Sequence, residues 1–198
     1  LAFTSFIWGT SFVAQSVGMD YIGPFTFNGV RSFIGAMTLV PCMLIQKKLQ
    51  VKNKRTYQIA SENKAPLDEK NIKELVIGGI LCGVLLFVSS SLQQIGIKYT
   101  SAGKAGFITA FYIVLVPVIG IFMKKTSGWK IWAAVVLALA GLYCLCIKEG
   151  LSIGKGDILI FFCAIGFSLH IMVIDYFAPK VNGVALSCIQ FLVCGFAS

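Results

Sequence analysis

The chain has 198 residues, 57% hydrophobic and only 13% charged, with a mean hydropathy of +0.85 and a formal net charge of +9. Soluble domains carry charges at about a quarter of their positions, so this composition excludes an ordinary soluble enzyme or binding module and fits a chain that lives in lipid. The basic excess points either to an acidic partner or to one face of a membrane, and the placement of the lysines decides between them.

A hydrocarbon core about 30 Å thick needs roughly 17–25 mostly apolar residues per helical crossing. Seven stretches fit that length or begin to: residues 3–19, 25–45, 75–97, 101–123, 129–147, 158–174, and a last one from about 183 to 198. The fold class is therefore all-α and polytopic. The sequence starts at Leu1 with no basic region ahead of its first apolar stretch, and the last stretch has no flank, so it reads as a piece of a longer chain. A cleaved signal peptide does not explain the first stretch, because more membrane follows rather than a soluble domain.

Taken in chain order, the first stretch carries Trp8, too deep for an interfacial anchor, which with Phe12 either lines an aromatic wall or fills the bundle, and then Gln15. The second carries Asn28 and Arg31, and a basic connection of mixed polarity spans 46–72. In the third, Gly79 and Gly83 form a GxxxG that lets backbones approach closely, followed by Gln93 and Gln94. The fourth holds Lys104 and Pro117, whose ring removes one backbone bond and either serves as a hinge or only bends the helix. Ala134 and Ala138 make a second small packing pair in the fifth stretch, and His170, the single histidine, lies in the sixth. Cys42, Cys82, Cys144, Cys146, Cys163, Cys188 and Cys194 all fall in apolar stretches, and Cys144 and Cys146 lack CxxC spacing. No metal site and no cofactor are expected.

Loops alternate sides, which sorts the basic residues into two sets. Lys47, Lys48, Lys52, Lys54, Arg55, Lys64, Lys70, Lys73, Lys124, Lys125, Lys130 and Lys180 stand against Lys98, Lys104, Lys148 and Lys155, 12 to 4, with Arg31 inside the second stretch. The larger set marks the cytoplasm, so the chain start and the 2–3, 4–5 and 6–7 loops are expected there, in the plasma membrane. That bias accounts for the positive charge without nucleic acid, and Glu62, Asp68, Glu69 and Glu74 dilute the basic loop.

A shift of 155 residues superimposes Phe6 on Phe161, Phe12 on Phe167, Asp20 on Asp175, Tyr21 on Tyr176 and Pro24 on Pro179, five identities in nineteen positions. A repeat of five helices is odd, so a second copy enters the membrane from the opposite side, which is a recurring plan of secondary transporters. The expected division is a first five-helix repeat over 1–148 and the start of a second, inverted one over 149–198.

These residues resemble the EamA-type permeases of the drug/metabolite transporter superfamily. The resemblance rests on WGTSF in the first stretch, Pro24 and Arg31 around the second, YTSAGKAGFITAFYIVLVPVIG over residues 99–120, and WKIWAAVVLALAGLYCL in the fifth. It implies ten helices in two five-helix repeats with both termini cytoplasmic, and substrates ranging over amino acids, other metabolites, sugar-nucleotides and toxic organic cations. The shift places Leu186 opposite Arg31, so the second repeat has no matching cation.

Polar groups inside lipid are costly and need a reason. At 1.5 Å per residue, Gln15, Asn28, Arg31, Gln93, Gln94 and Lys104 fall within about 4 to 9 Å of the outer helix ends, on one level with no acid except Asp20 at the rim. They form the expected substrate pathway with Trp8 and His170: Arg31 and Lys104 draw an anionic group and the amides supply hydrogen bonds. Alternatively the cations snorkel to headgroups and the amides join helices. Gln15 superimposes on His170 under the 155-residue shift, although a satisfied core histidine is the simpler role. No nucleophile and base are paired, so catalysis is not expected. The expected function is a secondary carrier exporting small polar metabolites, such as amino acids or related compounds, with lipid and substrate as partners and a homodimer allowed. A channel or a non-transporting sensor or assembly subunit is the alternative, separated from a carrier by saturation and counterflow.

Overall fold

A computed structural model describes residues 2–52, 69–122, 128–146 and 154–198. The described elements are α1 (Ala2–Gly18), α2 (Pro24–Lys52), α3 (Glu69–Ile97), α4 (Ala102–Ala110), α5 (Tyr112–Phe122), α6 (Trp129–Cys146), α7 (Lys155–Phe177) and α8 (Gly183–Ala197). Helix is what lipid demands, because it satisfies backbone N–H and C=O groups within one segment. Among the described residues, four stretches are long and apolar enough to cross a bilayer: Pro24–Gln46, Asn71–Ile97, Ala102–Ile121 and Lys155–Phe177. The chain is an all-α, multi-pass membrane protein.

Several boundaries differ from the sequence reading. α2 and α3 each run 29 residues, about 43 Å at 1.5 Å per residue, and so extend past the hydrocarbon into the 46–72 connection. Residues 53–68 of that connection lie outside the described residues. The fourth apolar stretch is interrupted, but at Phe111 rather than at Pro117, which is buried within α5. Phe111 N–H donates to the Ile108 carbonyl at 3.1 Å and Val114 N–H to the Phe111 carbonyl at 3.0 Å, the i to i+3 spacing of a tightened turn.

The chain divides into two compact units. The first comprises residues 1–28 and 88–172: α1, the first turn of α2, the end of α3, α4 to α6 and most of α7. Its core is Ile97, Ala105 and Ile160, with Phe12 and Ile108 packed against it. α1 packs on α4, and α6 on α4 and α5. Trp8 meets Tyr112 edge to face, ring centroids 6.5 Å apart, and the tilted rings of Phe111 and Phe161 lie 6.0 Å apart. Gly166 opens room for α7 beside α3: a Cβ there would sit 3.3 Å from Ser89 Cβ.

The second unit comprises residues 29–87 and 173–198. Here α3 seats itself on α8 through small residues. A Cβ at Gly79 would lie 2.8 Å from Ile189 Cβ, and one at Gly83 would lie 2.6 Å from Val193 Cβ and 3.0 Å from the Gln190 carbonyl. The GxxxG is thus a docking groove for Ile189 and Val193. Asn182 caps α8, its Oδ1 accepting from Val184 and Ala185 N–H at 3.0 and 3.3 Å. Phe33 and Phe196 meet edge to face at 5.2 Å. After α7, the Lys180 ammonium lies 3.4 Å over the Tyr176 ring. The alanine pair of α6, in the first unit, is different: Ala134 is exposed, and the Ala138 side chain lies outside the described residues.

The Asp-Tyr pairs aligned by the 155-residue shift occupy different local structure. Asp20 and Tyr21 follow the end of α1 in a turn, whereas Asp175 and Tyr176 belong to the last turn of α7.

Candidate functional site

The first unit concentrates buried polarity in its apolar helices. Gln15 of α1 is 4% exposed, Gln93 of α3 5%, and Gln94 and Asn28 0%. Thr109 of α4, Ser89, Ser90 and Ser91 of α3, and Ser168 and His170 of α7 are buried as well. Burying this many hydrogen-bonding groups in lipid is favourable only if they find partners, since an unmade buried hydrogen bond costs about 1–3 kcal/mol.

Several partners are direct. Gln94 Nε2 donates to Gln15 Oε1 at 2.5 Å, and Gln15 Nε2 donates to the Ser11 carbonyl at 3.1 Å and to Ser11 Oγ at 3.3 Å. This chain ties α3 to α1. Gln93 Nε2 donates to Thr109 Oγ1 at 3.2 Å and ties α3 to α4. Consecutive glutamines point about 100° apart on a helix of 3.6 residues per turn, so Gln93 and Gln94 reach different neighbours.

The end of α3, the start of α4 and the start of α7 meet at a charge cluster. Lys104 Nζ lies 2.7 Å from Asp157 Oδ2, and the Thr100 hydroxyl donates to Asp157 Oδ1 at 2.7 Å. Asp157 also accepts from Gly154 N–H at 2.8 Å, reaching back over the first turn of α7 as a capping carboxylate does. Ser101 caps α4 in parallel, its Oγ accepting from Lys104 N–H at 3.2 Å. The carboxylate side chain is 5% exposed and the lysine 18%.

The residues expected on one polar level have three different surroundings. Gln15, Gln93 and Gln94 are joined by hydrogen bonds within the first unit, and Asn28 is buried in that unit. Lys104 is ion-paired rather than offered to an anion, because Asp157 shares its level. Sequence reading missed this acid by starting the sixth stretch at Ile158 and assigning Asp157 to a loop. The signal was present in the Gly154-x-x-Asp157 spacing, which places a carboxylate to cap a helix start. Arg31 belongs to the second unit, is exposed, and has no described hydrogen bond or ion pair. Trp8 is 55% exposed, and His170 is 8% exposed in α7.

Residues 1–147 match the EamA-like transporter family. The chain belongs to that family. An uncharacterized transporter of Archaeoglobus fulgidus is 30% identical over 188 residues, 94% of this chain and 51% of the relative. The uncharacterized transporter YoaV of Bacillus subtilis is 28% identical over 151 residues, 75% of this chain and 45% of the relative. The EamA-like chain thus spans about half the length of the curated relatives it matches. No solved structure matches it.

Proposed function

We propose that this EamA-like chain is part of a secondary carrier that moves small polar metabolites, such as amino acids or related compounds, across the plasma membrane by alternating access, in the direction of export. The observation that carries the reading is the buried amide and hydroxyl belt of the first unit, Gln15, Gln93, Gln94, Ser91 and Thr109, set in otherwise largely apolar helices. A membrane protein that only anchors or assembles has no need of such a belt, whereas a polar solute crossing lipid needs hydrogen-bonding groups at depth. An inverted second repeat beginning near residue 149 would supply the opposite-facing half of the cycle. Arg31 is assigned to an anionic group of the substrate, because guanidinium binds carboxylate or phosphate through two parallel bonds.

The test is counterflow in liposomes containing the purified full-length protein, scored over a metabolite panel for uptake and efflux. Saturable exchange is expected, with affinity falling about tenfold or more in Arg31→Gln and recovering only in part in Arg31→Lys. Unsaturable leak would indicate a channel, and no flux with any metabolite would remove the carrier reading. Normal affinity in Arg31→Gln would leave Arg31 as a snorkelling residue. The assigned topology puts Ser101 outside. An impermeant thiol reagent applied to intact cells should label Ser101→Cys and spare Asn53→Cys, and the reverse pattern would overturn it.

A further inference from the structure

One group that can only accept fixes the direction of the glutamine chain. The Ser11 backbone carbonyl carries no proton, so the end of the Gln15 amide facing it at 3.1 Å is the NH₂ end. Gln15 Oε1 therefore faces Gln94, and the Gln94 end that meets it at 2.5 Å is again the NH₂ end. The carbonyl oxygen of Gln94 is left pointing away from the pair. Gln94 is 0% exposed, and its Oε1 has no hydrogen-bond partner among the described residues. Ser91 sits one turn earlier on the same side of α3, is 8% exposed, and its Oγ likewise has no partner among them. Two buried polar atoms one turn apart are thus left unmatched within one unit.

We infer that Gln94 Oε1 and Ser91 Oγ form a subsite for a hydrogen-bond donor of the substrate, an amine or amide N–H. An amide oxygen can only accept, so a carboxylate or phosphate oxygen brought to it meets a like partial charge, and a quaternary ammonium brings no proton. Lys104 is neutralised by Asp157, so the belt offers no uncompensated cation of its own to repel a protonated amine. An unpaired buried acceptor is unfavourable, and a donor carried in by substrate when the helices open removes that penalty. This deepens the transport reading and rests on it for the word substrate; the donor subsite itself stands on the geometry.

The experiment measures thermal stabilisation and Kd of purified full-length protein with the common amino acids and simple alkylamines, each paired with its N-trimethyl derivative and, for the amino acids, with the matching amine-free acid. At least one amine is expected to bind, with its trimethyl and amine-free counterparts weaker by about tenfold or more. Gln94→Met should abolish that discrimination and Ser91→Ala should reduce it. Unliganded melting of each variant shows whether it has folded. Equal binding across the pairs, as a site holding only structural water would give, or binding of no amine at all, overturns the inference. Counterflow separates the two readings. Exchange of amine-free metabolites with no preference for amines keeps the carrier and loses the subsite, while discriminating binding without exchange does the reverse.

Discussion

Asp157→Leu is expected to lower stability by about 3 kcal/mol, seen as a fall in the thermal midpoint, and Lys104→Met by somewhat less, while the two together return near the parent. Removing one partner of a buried ion pair strands the other charge, and the cost is greatest where water cannot reach it. The Asp157 side chain is 5% exposed, whereas Lys104 keeps 18% of its side chain accessible, which places the loss at the low end of the range for buried pairs. The contacts are also unequal. Without Lys104 the carboxylate still accepts from Thr100 at 2.7 Å and from Gly154 N–H at 2.8 Å, so a stranded Asp157 retains two donors. Without Asp157 the ammonium loses its ion-pair partner, and Gly154 N–H loses its cap as well. A double-mutant cycle on thermal unfolding measures the coupling directly. Additive losses, with the double variant as unstable as the two singles combined, would mean the pair holds nothing together.

The helical class and the identity of the buried polar residues were legible because lipid imposes a simple rule. A span must be apolar for its length, so Gln15, Asn28, Gln93 and Gln94 stand out against their neighbours without any structure. Their pairing was not legible. Depth along a helix predicts a shared level, but it does not say that Gln94 turns toward Gln15 and Gln93 toward Thr109, which depends on rotation about each axis. The charge balance was misread for a related reason. Asp157 follows a glycine-rich stretch and looks like loop, yet its capping contact with Gly154 carries α7 back to Lys155 and brings the acid to Lys104. Glycine roles were half visible. Gly79 and Gly83 announce themselves by spacing, whereas Gly96 and Gly156 are 60 residues apart and reveal their contact only once α3 and α7 are placed.

Gly156→Ala tests that contact, and about 3 kcal/mol of destabilisation is expected, the upper end of the usual overpacking cost. A Cβ at Gly156 would lie 2.7 Å from the Gly96 carbonyl oxygen and 2.9 Å from both the carbonyl carbon and Cβ of Tyr99, closer than real Cβ atoms approach. Two of those three atoms are backbone, so no side-chain rotation relieves the clash. The start of α7 has to move off the end of α3. That motion is transmitted to residues already tightly placed: Ile160 of α7 packs over Gly96, and with Ile97 and Ala105 it forms the buried core of the first unit. Asp157, the next residue, would be drawn from Thr100 and Lys104 at the same time. Gly183→Ala is the control, since nothing lies within 4 Å of a Cβ there and α8 begins at that residue, so alanine should be neutral or slightly stabilising. The measurement is thermal unfolding of the purified variants side by side, and a Gly156→Ala protein melting with the parent would show that α3 and α7 do not meet backbone to backbone.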